Sequence, residues 1–296
     1  MNTNAASWVQ NGNGQSPRVL WSVALEAPLV DMCLCHESGA TMATDEAGGL
    51  YRIDRNGSIV DLSRSYSDTR FVDWSHIGTQ GAIACRDTLY WLDGQLQQQW
   101  TRTIPDEITA LAVDSHGHYV AVSDKSGSTW IFRGDKQEVF EVETLRPIHQ
   151  LGFLPLRPQL IAVADQGLAC ALDMQGDPAW SHELWMNAGD LSFSGDGSSV
   201  FIAGYQHGIQ ILDDQGEQSG GYVLEGSCHR VSTGFRGQRL AAATLERQVC
   251  WLNAEGDLIW DATSPDDICS LNCQPLADGF VCGLAVGRIL CLTWDD

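Results

Sequence analysis

The sequence predicts an all-β fold, a seven-bladed β-propeller of four-stranded antiparallel blades whose ring is closed by an N-terminal strand. Three observations lead there. First, the element Leu-Asp-x-x-Gly-x-x-x-Trp recurs at a spacing of 40 residues, as Leu172-Asp173 with Gly176 and Trp180, Leu212-Asp213 with Gly216, and Leu252-Asn253 with Gly256 and Trp260. Upstream it returns as Leu92-Asp93 with Trp100 and as Ile53-Asp54 with Gly57. An internal repeat of this period marks radially repeated sheets. Second, the last apolar or small residue of each innermost strand forms the column Leu34, Trp74, Val113, Phe153, Phe193, Thr233 and Cys273, spaced 40, 39, 40, 40, 40 and 40. Two positions earlier stand Met32, Val72, Leu111, Leu151, Leu191, Val231 and Leu271, the alternation of a strand with one buried face. Third, the seventh unit runs out just after its third strand, whereas Arg18-Val19-Leu20-Trp21 reads as a fourth strand with Trp21 in the place of Trp100, Trp180 and Trp260. Lending that strand to the seventh unit removes an open sheet edge.

The elements follow in order. Residues 1–14 are polar and rich in Gly and Asn, the composition of a flexible tail, with Trp8 as a candidate anchor. Residues 15–296 form one propeller domain with no linker. Each innermost strand ends in a polar turn, such as Ser194-Gly195-Asp196-Gly197, whose residues tolerate turn dihedrals. The second strands, such as residues 160–164 and 240–243, are rich in Ala, Ser and Gly, which suits close packing of neighbouring sheets. Third strands end on the row Ile53, Leu92, Phe132, Leu172, Leu212, Leu252 and Leu292.

Two stretches resemble WD40 repeats: residues 110–132, ALAVDSHGHYVAVSDKSGSTWIF, and residues 191–213, LSFSGDGSSVFIAGYQHGIQILD. The Leu-Asp-x-x-Gly-x-x-x-Trp element is similar instead to the repeat of quinoprotein-like propellers. No unit carries the Gly-His dipeptide paired with Trp-Asp that marks the strongest WD40 repeats. Nor does the chain have the eight blades and adjacent Cys-Cys pair of the pyrroloquinoline-quinone dehydrogenases, so no quinone or other cofactor is expected. The resemblance implies a repeat-built binding module and leaves its activity open.

Composition narrows the partners. The 296 residues carry a formal charge of −21, and Lys125 and Lys136 are the only lysines. Such a surface repels nucleic acid and anionic membranes and favours basic or polar partners; solvation in high salt is the other reading of this charge. The first residues lack a basic and apolar leader, and no apolar run approaches the roughly 20 residues that span a bilayer. A cytoplasmic location is expected. Ten cysteines fall mostly within strands. Cys170 and Cys250 hold equivalent positions two units apart, beyond the about 7 Å that a disulfide tolerates. Buried free thiols in a reducing compartment are therefore expected.

No nucleophile elbow, phosphate loop, zincin or Cys-x-x-Cys motif is present. Three weaker constellations remain. Cys33-x-Cys35-His36 places two thiols on one strand face beside an imidazole, although the column of Cys33 also holds Ala112, Gly152 and Ser192, so packing explains a small residue there. Near the start of the innermost strands, Val30, Arg70, Thr109, His149, Gly189, His229 and Cys269 are equivalent. His149, His229, Cys269 and Arg70 are therefore candidates for an axial funnel that binds a metal or small anion, or for interstrand hydrogen bonding instead. The third is a rim: Asp106, Glu107, Asp266 and Asp267 with Trp185 and Met186 as apolar anchors, the anatomy of a protein contact. The expected function is a non-catalytic scaffold docking a protein partner on that acidic face, because no acid, base and nucleophile converge. An enzyme or ligand sensor using the funnel near His149, His229 and Cys269 is the alternative.

Overall fold

The computed structural model describes residues 7–184 and 186–294. Seven antiparallel sheets stand around an axis, with inner strands Leu29–Cys35, Thr69–Trp74, Ile108–Val113, Ile148–Phe153, Ala188–Phe193, Cys228–Thr233 and Ile268–Cys273 for blades 1 to 7. Each inner strand runs outward through a meander of three more. In blade 7 the outermost place is taken by Arg18–Ala24, which pairs antiparallel with Arg288–Thr293. The apolar interior is divided into seven clusters, and each straddles one seam between neighbouring blades. No sheet has its own core; burial comes from contact with the next blade.

The recurrent sequence element is a latch across these seams. Its aspartate caps the hairpin between third and fourth strands: the Asp173 Oδ1 accepts from Gln175 N at 2.8 Å and Asp177 N at 3.0 Å, and Asp213 does the same with Gln215 and Glu217 at 2.9 Å each. The glycine three residues on adopts positive φ, 81° at Gly57 and at Gly216. A side chain there would also run into the aromatic ring of the preceding blade, Trp21 on Gly57 and Trp180 on Gly216. The aromatic residue then donates to a carbonyl of the same turn. Trp21 Nε1 reaches Arg55 O at 3.0 Å, Trp100 Nε1 reaches Gly134 O at 2.7 Å, Trp180 Nε1 reaches Asp214 O at 3.2 Å, and Tyr222 Oη reaches Ala254 O at 2.5 Å. Trp21, Trp100 and Trp180 are thus addressed to the neighbouring unit, whereas the buried Nε1 of Trp260 has no partner among the described residues.

The flexible tail expected over residues 1–14 is corrected for the part described. Ser7–Gln10 is a helical turn whose Trp8 and Val9 are buried, and Asn13–Gly14 adds a fifth strand to blade 6 by pairing with Asp261 and Trp260. Trp8 lies 6.1 Å from the Trp260 ring, in a cluster with Trp251 and Trp294. Apolar burial of the anchor residue outweighs the disorder that its Gly- and Asn-rich surroundings favour. The expectation for residues 1–6 falls outside the described residues.

Candidate functional site

The axial residues are positioned by a bulge repeated in every blade. Register between first and second strands shifts just after the first inner-strand residue, so that Val30, Arg70, Thr109, His149, Gly189, His229 and Cys269 each stand unpaired opposite the second strand. A bulged residue is re-aimed. For Thr109, His229 and Cys269 the aim includes a carbonyl of the next blade. Thr109 Oγ1 donates to Ile148 O at 2.6 Å, His229 Nε2 lies 2.9 Å from Ile268 O, and Cys269 Sγ lies 3.7 Å from Leu29 O. His229 is 8% exposed, and burial holds its imidazole below the usual histidine range. Arg70 turns to the loop of blade 3, where Glu107 is paired with both Arg70 and Lys125. The expected convergence of His149, His229, Cys269 and Arg70 is therefore corrected: the bulge spends three of this column's side chains on seam contacts. Among the described residues, no group of three or more His, Cys, Asp or Glu is placed to hold a metal. Cys33 and Cys35 follow suit. Their thiols are pushed far up by burial, Cys35 to about 12, while the His36 ring lies tilted against His76 at 4.5 Å and its imidazole is held down to about 3, mainly by burial and further by His76.

Further residues that face the axis come from later positions along the strands, and sequence reasoning missed them. Asp31, Asp73 and Asp190 each bridge two blades. Asp31 accepts from Met32 N at 2.9 Å and Val72 N at 2.9 Å; Asp73 from Trp74 N at 2.8 Å and Val113 N at 2.7 Å; Asp190 from Leu191 N at 2.9 Å and Val231 N at 3.1 Å. Ser192 and Ser232 repeat the bridge to Thr233 N and Cys273 N. Desolvation pushes the Asp31 and Asp73 carboxyls up to about 7 and raises Asp190 as well, against the pull of these N–H donors. The available signal was an aspartate inside an otherwise apolar run, as in Val30-Asp31-Met32 and Val72-Asp73-Trp74.

Phe71, Gln150 and Arg230 line two axial chambers at once and so divide the channel between them. The lower, about 320 Å³, holds the three aspartates with Cys33, Cys269 and Asn272. The upper, about 360 Å³, is lined by Thr109, His149, Asn187 and Tyr205. Arg230 is fixed by carbonyls: Nε donates to Cys269 O at 2.6 Å and Nη1 to His229 O at 3.0 Å and Gly189 O at 3.2 Å.

The rim expected to dock a partner surrounds the upper chamber. Trp185 lies outside the described residues. Met186 is corrected: it is 4% exposed and packs in the seam between blades 4 and 5, its sulfur against Gly204, because a flexible thioether fills the gap that a glycine leaves. Asp267 pairs with Arg247 at 2.7 Å, and Asp266 accepts from Val286 N at 2.8 Å. Asp106 accepts from Glu107 N at 2.7 Å. The apolar side chains that stand out on this face are instead Leu145, Val223, Leu245 and Val286, all exposed.

No family model and no curated protein matches the chain. A solved structure does: the crystal structure of the Myceliophteria thermophila Cps50 (Swd1) β-propeller domain superposes with a TM-score of 0.83 at 13% identity, covering 94% of this chain and 100% of that one. The chain has a WD40-like β-propeller fold. At that identity the likeness concerns the fold alone, and the WD40-like ring here is held by its own stitches of aspartate, serine and tryptophan. No described helix is long and apolar enough to cross a membrane.

Proposed function

We propose that this WD40-like propeller is a non-catalytic interaction scaffold of the cytoplasm, docking a protein partner with a basic or polar surface on the face around the upper chamber. One observation supports the reading above others: Val223, Leu245 and Val286 stand exposed on adjoining loops of blades 5 to 7, beside Asp266 and Asp267. Leu245 N bonds Ser227 O at 2.9 Å and Ala285 N bonds Asp267 O at 2.9 Å, so the loops carrying these side chains are braced against their neighbours. An apolar patch on a braced loop set, rimmed by charge, is suited to docking at little cost in ordering. Near the axis Asp31, Asp73, Asp190 and His229 are occupied in seam contacts.

The test is affinity capture from the native host with mass spectrometry, comparing three proteins. Reversal of Asp106, Glu107, Asp266 and Asp267 to lysine should weaken capture and flatten its salt dependence. Leu245→Asp with Val286→Asp should abolish it. Substitution on the opposite face, Leu156→Asp with Leu276→Asp, should leave capture intact. The face is rejected if only the last pair matters.

A further inference from the structure

We infer that the upper axial chamber binds a small organic anion, a carboxylate or phosphate monoester, with Arg230 as the charged contact and Tyr205, Asn187 and His149 around it. The chain carries 38 acidic residues against 17 lysines and arginines, yet among the described side chains no carboxylate lines this chamber. The three axial aspartates open to the lower chamber only, Asp31 and Asp190 at the level of the partition formed by Phe71, Gln150 and Arg230 and within reach of the Arg230 charge. Among its described side chains the chamber therefore carries the positive charge of Arg230 and no negative one, a contrast with the anionic surface that favours an anion.

Arg230 is built for the task. Three backbone carbonyls hold its Nε and Nη1, and among the described residues it has no ion pair within 4.0 Å and no acceptor for Nη2. With Nε and both N–H bonds of Nη1 engaged by carbonyls, Nη2 is left to give a charge-assisted hydrogen bond to a single anion oxygen. No described residue engages the Tyr205 hydroxyl or the Asn187 amide, although the two residues are joined by Tyr205 N to Asn187 O at 3.2 Å. Both are therefore placed to supply further donors. The volume, about 360 Å³, falls at the small-ligand end of the range for pockets. This site is independent of the docking surface, so either can fail alone.

Calorimetric titration of the full chain with inorganic phosphate and with succinate tests the proposal, choline being the cationic control. Saturable binding of at least one anion and none of choline is expected, with affinity falling about tenfold or more in Arg230→Gln. Because Arg230 also ties blade 6 to blades 5 and 7, Tyr205→Phe is the companion variant, expected to bind about threefold to tenfold more weakly with its melting temperature unchanged. Asp73→Asn, in the lower chamber, should keep the affinity of the parent. The inference is overturned by no saturable anion binding below about 10 mM, by binding that survives both Arg230→Gln and Tyr205→Phe, or by preference for choline.

Discussion

Substitution of Trp8 by alanine isolates the contribution of the N-terminal strap. Its indole is 8% exposed and lies 6.1 Å from Trp260, and the adjacent Val9 is fully buried. Trp8 carries no hydrogen bond at Nε1, so the loss is one of packing and transfer alone. Removing a buried tryptophan of this kind costs about 3–5 kcal/mol. For a chain of this size one kcal/mol moves the midpoint by just under about 2 °C, so the melting temperature should fall by roughly 5–8 °C. Thermal denaturation followed by far-UV circular dichroism measures it, with Leu258→Ala, an exposed position near the same strand end, as a control expected to change little. A midpoint for Trp8→Ala indistinguishable from that of the control would refute the strap. Deletion of residues 1–24 goes further, because it also bares the strand Arg288–Thr293 along its whole edge. That protein should aggregate instead of melting at a lower temperature.

Three further outcomes follow from the same geometry. Asp31 and Asp73 have carboxyl groups raised to about 7 when folded, so the native state holds their protons more tightly than the unfolded chain does. Their contribution to stability is present below about pH 4 and is lost as pH rises through about 7, and the slope of urea midpoint against pH between 5 and 8 should flatten in the double variant Asp31→Asn/Asp73→Asn. Gly57→Ala places a Cβ at a φ of 81° against the Trp21 ring, and should cost at least about 1–2 kcal/mol in urea unfolding, with no effect on the upper chamber. Of the ten thiols, only Cys33 and Cys269 are other than buried; titration with a disulfide reagent at pH 8 should find at most these two in the native protein and all ten in denaturant.

The fold was legible because its signals are local and repeated. The column from Leu34 to Cys273 and the Leu-Asp-x-x-Gly element each recur blade by blade, and one meander explains all copies. The borrowed strand was legible from Trp21 alone, since it answers to the same latch as Trp100 and Trp180. The site was less so. A bulge changes where a side chain points without changing its place in the repeat, so aligning His149, His229 and Cys269 gave the right column but not the seam bonds that occupy His229 and Cys269. The axial aspartates were hidden for a related reason: Asp31 and Asp190 share one column while Asp73 belongs to the next but one, so no single row displays them. Met186 shows the limit of reading exposure from a loop. Its burial is decided by Gly204 on the second strand of blade 5, a pairing that only the assembled seam creates.

A linear stack of repeats has two end units, each supported from one side, and frays from them. Here each of the seven units has a partner on both flanks, and the strap from Trp8 to Ala24 joins blade 6 as well as blade 7, so opening any one seam withdraws cover from the sheets on either side of it. Amide protons should then exchange by a single global event over most of the ring, with slow and similar rates in blades far apart in sequence. The ring would lose its shape all at once or not at all, which is how a hoop fails when its rivet is cut.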